Sequence, residues 1–265
     1  MPKFGVTPIP PRILICGEPA SGKTGAIAQL ANAGFNVYLH DMDRNARIIG
    51  AYLKPDHAPI RIQSYEVAKL TDTAIFAGGP SNVGQKAVAE LKRFTKMLEH
   101  WKEDDFDAGP TSALTPKDVI VVDSGTFLGE LLLLAAKEDP ETKKDGRSLY
   151  NVAGRYYKAI LDYLTGNRVG ASVIVLTHLM QTGDKDDQGR IIGKAKDIPV
   201  AVGEKASKIM TAYFSDVWHL TVDRTGNRQY LTSATDTAGR RTSRPDVIKA
   251  VEPFDLGGLL KKLTG

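Results

Sequence analysis

Apolar residues along this chain gather into short dense runs rather than long alternations. The runs are Arg12–Cys16 (RILIC), Asn36–His40 (NVYLH), Ile60–Gln63 (IRIQ), Val119–Asp123 (VIVVD), Ser172–Thr177 (SVIVLT), Val217–Val222 (VWHLTV) and Gln229–Thr232 (QYLT). Val- and Ile-rich runs without a polar residue at every second place predict strands buried on both faces, as in a parallel sheet. Between them, helical spacing predicts helices over 23–33, 44–53, 82–102, 127–138, 149–165 and 204–213, the first stopped by Gly34. Strands alternating with helices predict an α/β fold, a mostly parallel sheet with helices on both faces. The last two runs are joined by Asp223-Arg224-Thr225-Gly226-Asn227, a turn signature that predicts a C-terminal antiparallel hairpin. Segments 104–117, 137–147, 181–203 and 235–246 follow neither period and read as loops. Pro2, Pro8, Pro10 and Pro11 predict an extended lead over 1–11. Residues 246–265 read as a C-terminal tail on a single domain spanning 1–265.

Composition narrows the class. At 265 residues, 42% hydrophobic and 25% charged, the chain suits one large soluble α/β domain, or one domain plus a small appendage. Its longest mostly apolar run, Phe127–Ala136, is too short to span a bilayer and is broken by Glu130, so no membrane partner is expected. The opening MPKFGVTPIPPR has no apolar signal region, and one cysteine excludes an internal disulfide framework; a cytoplasmic location is expected. Cys16 ends a buried strand and reads as inert packing. The net charge of +4 is unevenly placed: Arg224–Lys249 holds six basic and two acidic residues, so the rest of the chain is balanced. A basic segment on a balanced body suggests an anionic partner.

The first strand ends in Ile15-Cys16-Gly17-Glu18-Pro19-Ala20-Ser21-Gly22-Lys23-Thr24-Gly25. Strand, glycine-bounded loop, Lys-Thr, helix is the arrangement that holds polyphosphate. Backbone N–H groups of the loop point inward, and the N-terminus of the next helix adds free donors and the positive end of its dipole. Gly17, Glu18, Pro19, Ala20, Ser21 and Gly22 are expected to line the phosphates and Lys23 to reach the β- and γ-phosphates. The Thr24 hydroxyl is expected to ligate Mg²⁺, and Gly25 to let the α-phosphate approach. ATP and Mg²⁺ are the expected cofactors.

A nucleotide site of this kind needs a carboxylate at the end of another buried parallel strand to position the metal. VIVVDS supplies Asp123. Hydrolysis further needs a group that polarises water, and Asp41 or Asp43, just past NVYLH, stands at a strand end where it could do so. His178 follows SVIVLT directly and suits a reporter of the γ-phosphate.

The order ICGEPASGKT, LHDMD, VIVVDS, SVIVLTH, glycine- and lysine-bearing loop, helix and hairpin resembles a RecA-type P-loop ATPase. More specifically the chain resembles compact phage nucleotide-binding proteins with a RecA-like core, which include single-strand annealing proteins of phage recombination. The likeness runs from about Arg12 to Leu256 and takes in the closing EPFDLGGLLKKL. It implies a RecA-like sheet and ATP hydrolysis, with Lys23 and Thr24 on phosphate and metal and Asp123 in the metal shell. It places Asp43 where the family keeps a catalytic glutamate and His178 where it keeps a γ-phosphate-sensing glutamine. The shorter aspartate implies slow turnover, or a share of the work for Asp41. The resemblance also implies single-stranded DNA as partner, bound through loop 181–203 by Lys185, Arg190, Lys194 and Lys196. That loop also carries Asp184, Asp186, Asp187 and Asp197 and no aromatic residue.

Arg240, Arg241 and Arg244 cannot form a buried strand, since unpaired burial of their charges would be prohibitive. They are expected to face water, DNA or a neighbouring subunit's nucleotide. The resemblance implies the last, an arginine acting in trans within a ring or filament of identical chains, with DNA phosphate contact as the runner-up. Two other functions share the phosphate loop: a small-molecule kinase, and an assembly module that binds ATP without hydrolysing it.

Overall fold

The computed structural model describes residues 10–67, 82–186, 188, 190–233 and 239–265. Its central element is an eight-stranded sheet. The strands are β1 (Arg12–Gly17), β2 (Asn36–Asp41), β3 (Ile60–Ser64), β6 (Asp118–Asp123), β7 (Ser172–Thr177), β10 (Asp216–Val222), β11 (Arg228–Leu231) and β12 (Val251–Pro253). Their spatial order is β12-β11-β10-β1-β7-β6-β2-β3, with every pair from β10 to β3 parallel and β10-β11-β12 antiparallel. This is the architecture of a P-loop nucleotide-binding fold. β7 lies between β1 and β6, so the strand ahead of His178 separates the one ahead of the glycine loop from the one ending in Asp123.

Side chains explain why both faces are covered. β1, β6 and β7 are buried at all six positions, with successive residues entering opposite cores. Leu14 and Cys16 join a core with Phe94, Leu131, Leu161 and Val173, whereas Ile13 and Ile15 join one with Ile27, Leu30, Trp218 and Leu260. The first core is covered by α2 (Val83–Glu99), α3 (Gly125–Ala136), α5 (Leu149–Thr165) and α6 (Gly203–Met210). The second is covered by α1 (Lys23–Asn32), a 3₁₀ turn (Ala46–Tyr52) and α7 (Leu256–Thr264). Cys16 is fully buried, and burial pushes its thiol well above the usual range, in keeping with inert packing.

Several segments depart from expectation. Within the stretch 44–53, Ala46–Tyr52 forms a 3₁₀ turn rather than an α-helix. The helix expected to reach 102 ends at Glu99, because His100–Lys102 (β4) pairs antiparallel with Asp107–Pro110 (β5) inside a segment expected to be a loop. Segment 137–147 holds a short helix, α4 (Pro140–Lys144), started by Asp139, whose side chain accepts from the Glu141 N–H. The largest correction concerns 181–203. Instead of a loop, Leu179–Lys185 (β8) and Ile191–Pro199 (β9) form an antiparallel hairpin arm that leaves the tip of β7 and returns into α6. Of segment 235–246, residues 235–238 lie outside the described residues. The closing residues, read as a tail, form β12 and α7.

α7 contacts α1 through backbone. A Cβ added to Gly257 would fall 2.3 Å from Gln29 O and 2.6 Å from Ala33 Cβ. Gln29 secures the junction, accepting from the Leu256 N–H at 2.7 Å and donating to Phe254 O at 2.9 Å. Gly257→Ala is therefore expected to lower stability by about 1–3 kcal/mol in urea denaturation. Gly50→Ala, where a Cβ meets nothing within 4 Å, is expected to change it by no more than about 0.5 kcal/mol.

Candidate nucleotide site

The loop after β1 is shaped by backbone constraints. A Cβ on Gly17 would stand 2.8 Å from Leu220 O on β10, so only glycine allows the two strands to stay paired there. Ala20 and Gly22 both have positive φ, 62° and 101°, which curls the loop and starts α1 from a left-handed residue. Lys23 is buried and turned back on the loop, its Nζ donating to Gly17 O at 2.8 Å and Glu18 O at 2.9 Å. Burial lowers its pKa, with Asp123 the foremost opposing influence.

Strand register brings the other half of the site to the loop. Asp123 ends β6 opposite Asp41 on β2 and Leu176 on β7. The Thr24 hydroxyl donates to Asp123 Oδ2 at 2.6 Å across 99 residues of sequence. Asp123 is buried, and its pKa is pushed up to about 7, by burial first and then by Asp43 and Asp41, against the Thr24 hydrogen bond and Lys23. Of the two candidate water-polarising carboxylates, only Asp43 lines the cavity. It accepts from the Asn45 N–H at 3.1 Å. Asp41 is buried and turned toward β3, where Ser64 Oγ donates to it at 3.0 Å; burial raises its pKa.

His178 also lines this cavity, its backbone N–H donating to Thr126 Oγ1 at 3.1 Å. Burial, and then Lys23, lower its pKa, so the imidazole is neutral at neutral pH. The cavity measures about 510 Å³ and brings together Pro19, Ala20, Gly22, Lys23, Thr24, Gly25, Asp43, Asp123 and His178. Glu18 and Ser21 instead line a second cavity of about 410 Å³ behind the loop, beside His219, Asp197 and Arg240.

Three contributors escape a reading of the motifs. Tyr52 ends the 3₁₀ turn, is half exposed, and has its ring 3.2 Å from where a Gly25 Cβ would stand. Gly25 therefore makes room for an aromatic ring. Arg228 of β11 and Phe254 close the opposite side. No local signal marks them, since each reaches the loop only through the fold; an exposed tyrosine beside the motif in space is visible only in three dimensions.

The basic candidates lie apart. Lys185 belongs to β8, Lys194 and Lys196 to β9, and Arg190 precedes β9, its Nε 2.8 Å from Asp186 Oδ2. Arg241 is exposed, as expected of the three later arginines, and is also tied to its own chain. Its backbone pairs with Val217 and its Nε donates to Phe214 O at 3.1 Å, so carbonyls of its own chain hold the guanidinium. Buried Asp216 organises this stretch by accepting from the Ser243 N–H at 2.8 Å and Thr242 Oγ1 at 2.9 Å. Arg244 pairs with Asp246 at 2.9 Å, and Arg240 lines the cavity behind the loop.

A family profile described as an AAA domain matches residues 9–243. Curated proteins yield no match. Among solved structures, 18 chains match. One, from a study of a prototypical ATPase from the type III secretion system of pathogenic bacteria, superposes with a TM-score of 0.39 at 11% sequence identity. That match covers 94% of this chain and 57% of the other, so this chain spans little more than half its length.

The raised Asp123 pKa has a measurable sign. Without nucleotide or metal, a carboxyl with its folded pKa near 7 and its unfolded value near 4 contributes stability at low pH that is lost as pH rises through 7. The thermal stability of the wild type is expected to fall from about pH 5.5 to about pH 8 relative to Asp123→Asn, which removes that titration. Parallel pH profiles for the two proteins would assign the dependence to another group.

Proposed function

The chain belongs to the AAA domain family, and from that premise we propose that it binds ATP with Mg²⁺, hydrolyses it, and couples turnover to single-stranded DNA. The observation that carries this reading is the 2.6 Å contact between Thr24 and Asp123. It joins the phosphate loop to the carboxylate strand, the two halves of a metal–nucleotide site. A hydroxyl and a carboxylate are hard oxygen donors suited to Mg²⁺, and a buried carboxylate held partly protonated gains from a divalent cation. When bound, Mg²⁺ supplies charge neutralisation between the phosphates.

The chain's own residues do the rest. Lys23 exchanges Gly17 O and Glu18 O for phosphate oxygen, while loop amides and the α1 N-terminus hold the remaining oxygens. Asp43 orients the attacking water, and neutral His178 hydrogen-bonds the γ-phosphate side. Tyr52 offers the base an exposed ring beside Gly25.

The DNA reading rests on the β8–β9 arm, which begins one residue after His178 and carries Lys185, Arg190, Lys194 and Lys196. A strand lying on the arm is thereby joined to the γ-phosphate side through the β7 tip. A ring or filament of identical chains would let Arg240 or Arg244 act on a neighbour's nucleotide. The exposed Arg244–Asp246 pair is weak enough to exchange.

Lys23→Ala is expected to abolish ATP binding in titration calorimetry without changing the fold. Asp43→Asn is expected to bind ATP and lose turnover by roughly 10²-fold. Single-stranded DNA is expected to stimulate wild-type ATP turnover. Phosphate transfer to a metabolite would instead identify a kinase, and DNA binding with no turnover a non-hydrolysing assembly module.

A further inference from the structure

The phosphate loop has a partner outside its own motif. Arg228 opens β11, about two hundred residues further along the chain, yet its Nε donates to Ser21 O at 2.9 Å. The guanidinium lies against the loop backbone: a Cβ on Gly22 would stand 2.6 Å from Nε and 2.9 Å from Cδ. Its anchorage is the sheet rather than the loop. β11 is hydrogen-bonded on both sides, to β10 and β12. The Arg228 Cζ lies 5.7 Å from the centroid of the Phe254 ring, which stacks on buried Tyr230 at 5.9 Å and 24°.

A peptide unit is planar, and in the trans form its C=O and N–H point in opposite directions. Holding the Ser21 carbonyl toward Arg228 therefore turns the Gly22 N–H the other way, away from β11. Gly22 has the positive φ that continues a concave run of donors into Lys23 and Thr24. We propose that Arg228 is a positioning residue for polyphosphate, locking the Ser21–Gly22 peptide so that the loop amides converge on the phosphates. This rests on the ATP-binding reading above and adds to it a part of the C-terminal hairpin.

Two features give the lock a purpose. Lys23 holds the loop together through Gly17 O and Glu18 O, and both bonds break when its ammonium turns to phosphate. The Arg228–Ser21 bond is independent of Lys23 and survives that exchange. Position 22 is also doubly restricted, since its φ favours glycine and a side chain there would strike the guanidinium.

Arg228 also borders the nucleotide cavity, so two direct roles compete with the lock: a contact to the base and an ionic contact to phosphate. Titration calorimetry separates them, using Mg²⁺-ATP and Mg²⁺-tripolyphosphate with wild type, Arg228→Ala and Arg228→Gln. The lock predicts that Arg228→Ala weakens both ligands by the same factor, about tenfold or more. It also predicts that Arg228→Gln, which keeps a side-chain N–H able to reach Ser21 O without the charge, recovers most of the loss. Arg228→Gln keeps a nitrogen at the place of Nε, on an exposed position, and serves should the alanine variant unfold. Loss for ATP alone would make Arg228 a base contact and overturn the proposal. Glutamine as weak as alanine would make it an ionic contact and overturn it equally, as would unchanged affinity in both variants. If the wild type binds neither ligand, the ATP reading falls and this inference with it.

Discussion

A desolvated carboxylate governs this molecule. Asp123 sits buried at the tip of β6 with Asp41 and Asp43 nearby, and the buried ammonium facing them is Lys23. Burial of charge without full compensation is costly, and its mark is the displacement of the Asp123 pKa toward neutrality. The Thr24 hydroxyl offsets part of that cost at 2.6 Å, and the rest is the chemical opening that a divalent cation and a polyphosphate would fill. Strand order follows from the same demand. Parallel pairing of β1, β7, β6 and β2 brings their carboxyl ends to one edge, where the loop, His178, Asp123 and Asp43 meet.

The C-terminal third braces the loop that faces this charge. β10 presses on Gly17 so closely that no side chain fits, and α7 packs on α1 through Gly257. Arg228 adds a hydrogen bond to the loop backbone. These contacts come from residues more than two hundred positions downstream, so the site is as much a product of the hairpin and last helix as of its own motif.

Two basic regions divide by how the chain uses them. Arg241 is committed to carbonyls at Thr211 and Phe214 and helps fasten the segment beside β10, with buried Asp216 accepting from Thr242 and Ser243. Charge density along the sequence did not reveal that this exposed arginine is held by its own chain, because a carbonyl cluster that satisfies a guanidinium is assembled only by folding. The β8–β9 arm is the converse case. Its mixed charges and glycines give a weak periodic signal, yet its two strands pair antiparallel on both sides of a register shift between Thr182 and Asp184. It joins α6 through Thr182 Oγ1, which donates to Glu204 at 2.9 Å.

By itself the sequence determined the features that depend on neighbours along the chain. Runs such as VIVVD and SVIVLT specify strands buried on both sides, and the glycine–lysine–threonine spacing specifies a phosphate loop, because period and turn chemistry act over a few residues. Element ends were less legible where pairing overrides propensity, as at Glu99, where β4 takes over from the helix. Only the tertiary structure decided which of Asp41 and Asp43 faces the cavity, since the register between β2 and β3 turns Asp41 toward Ser64. Only it brought Tyr52, Phe254 and Arg228 to the loop. Those contacts lie across chain separations that no local pattern encodes, and they exist because sheet order and helix packing close the intervening distance.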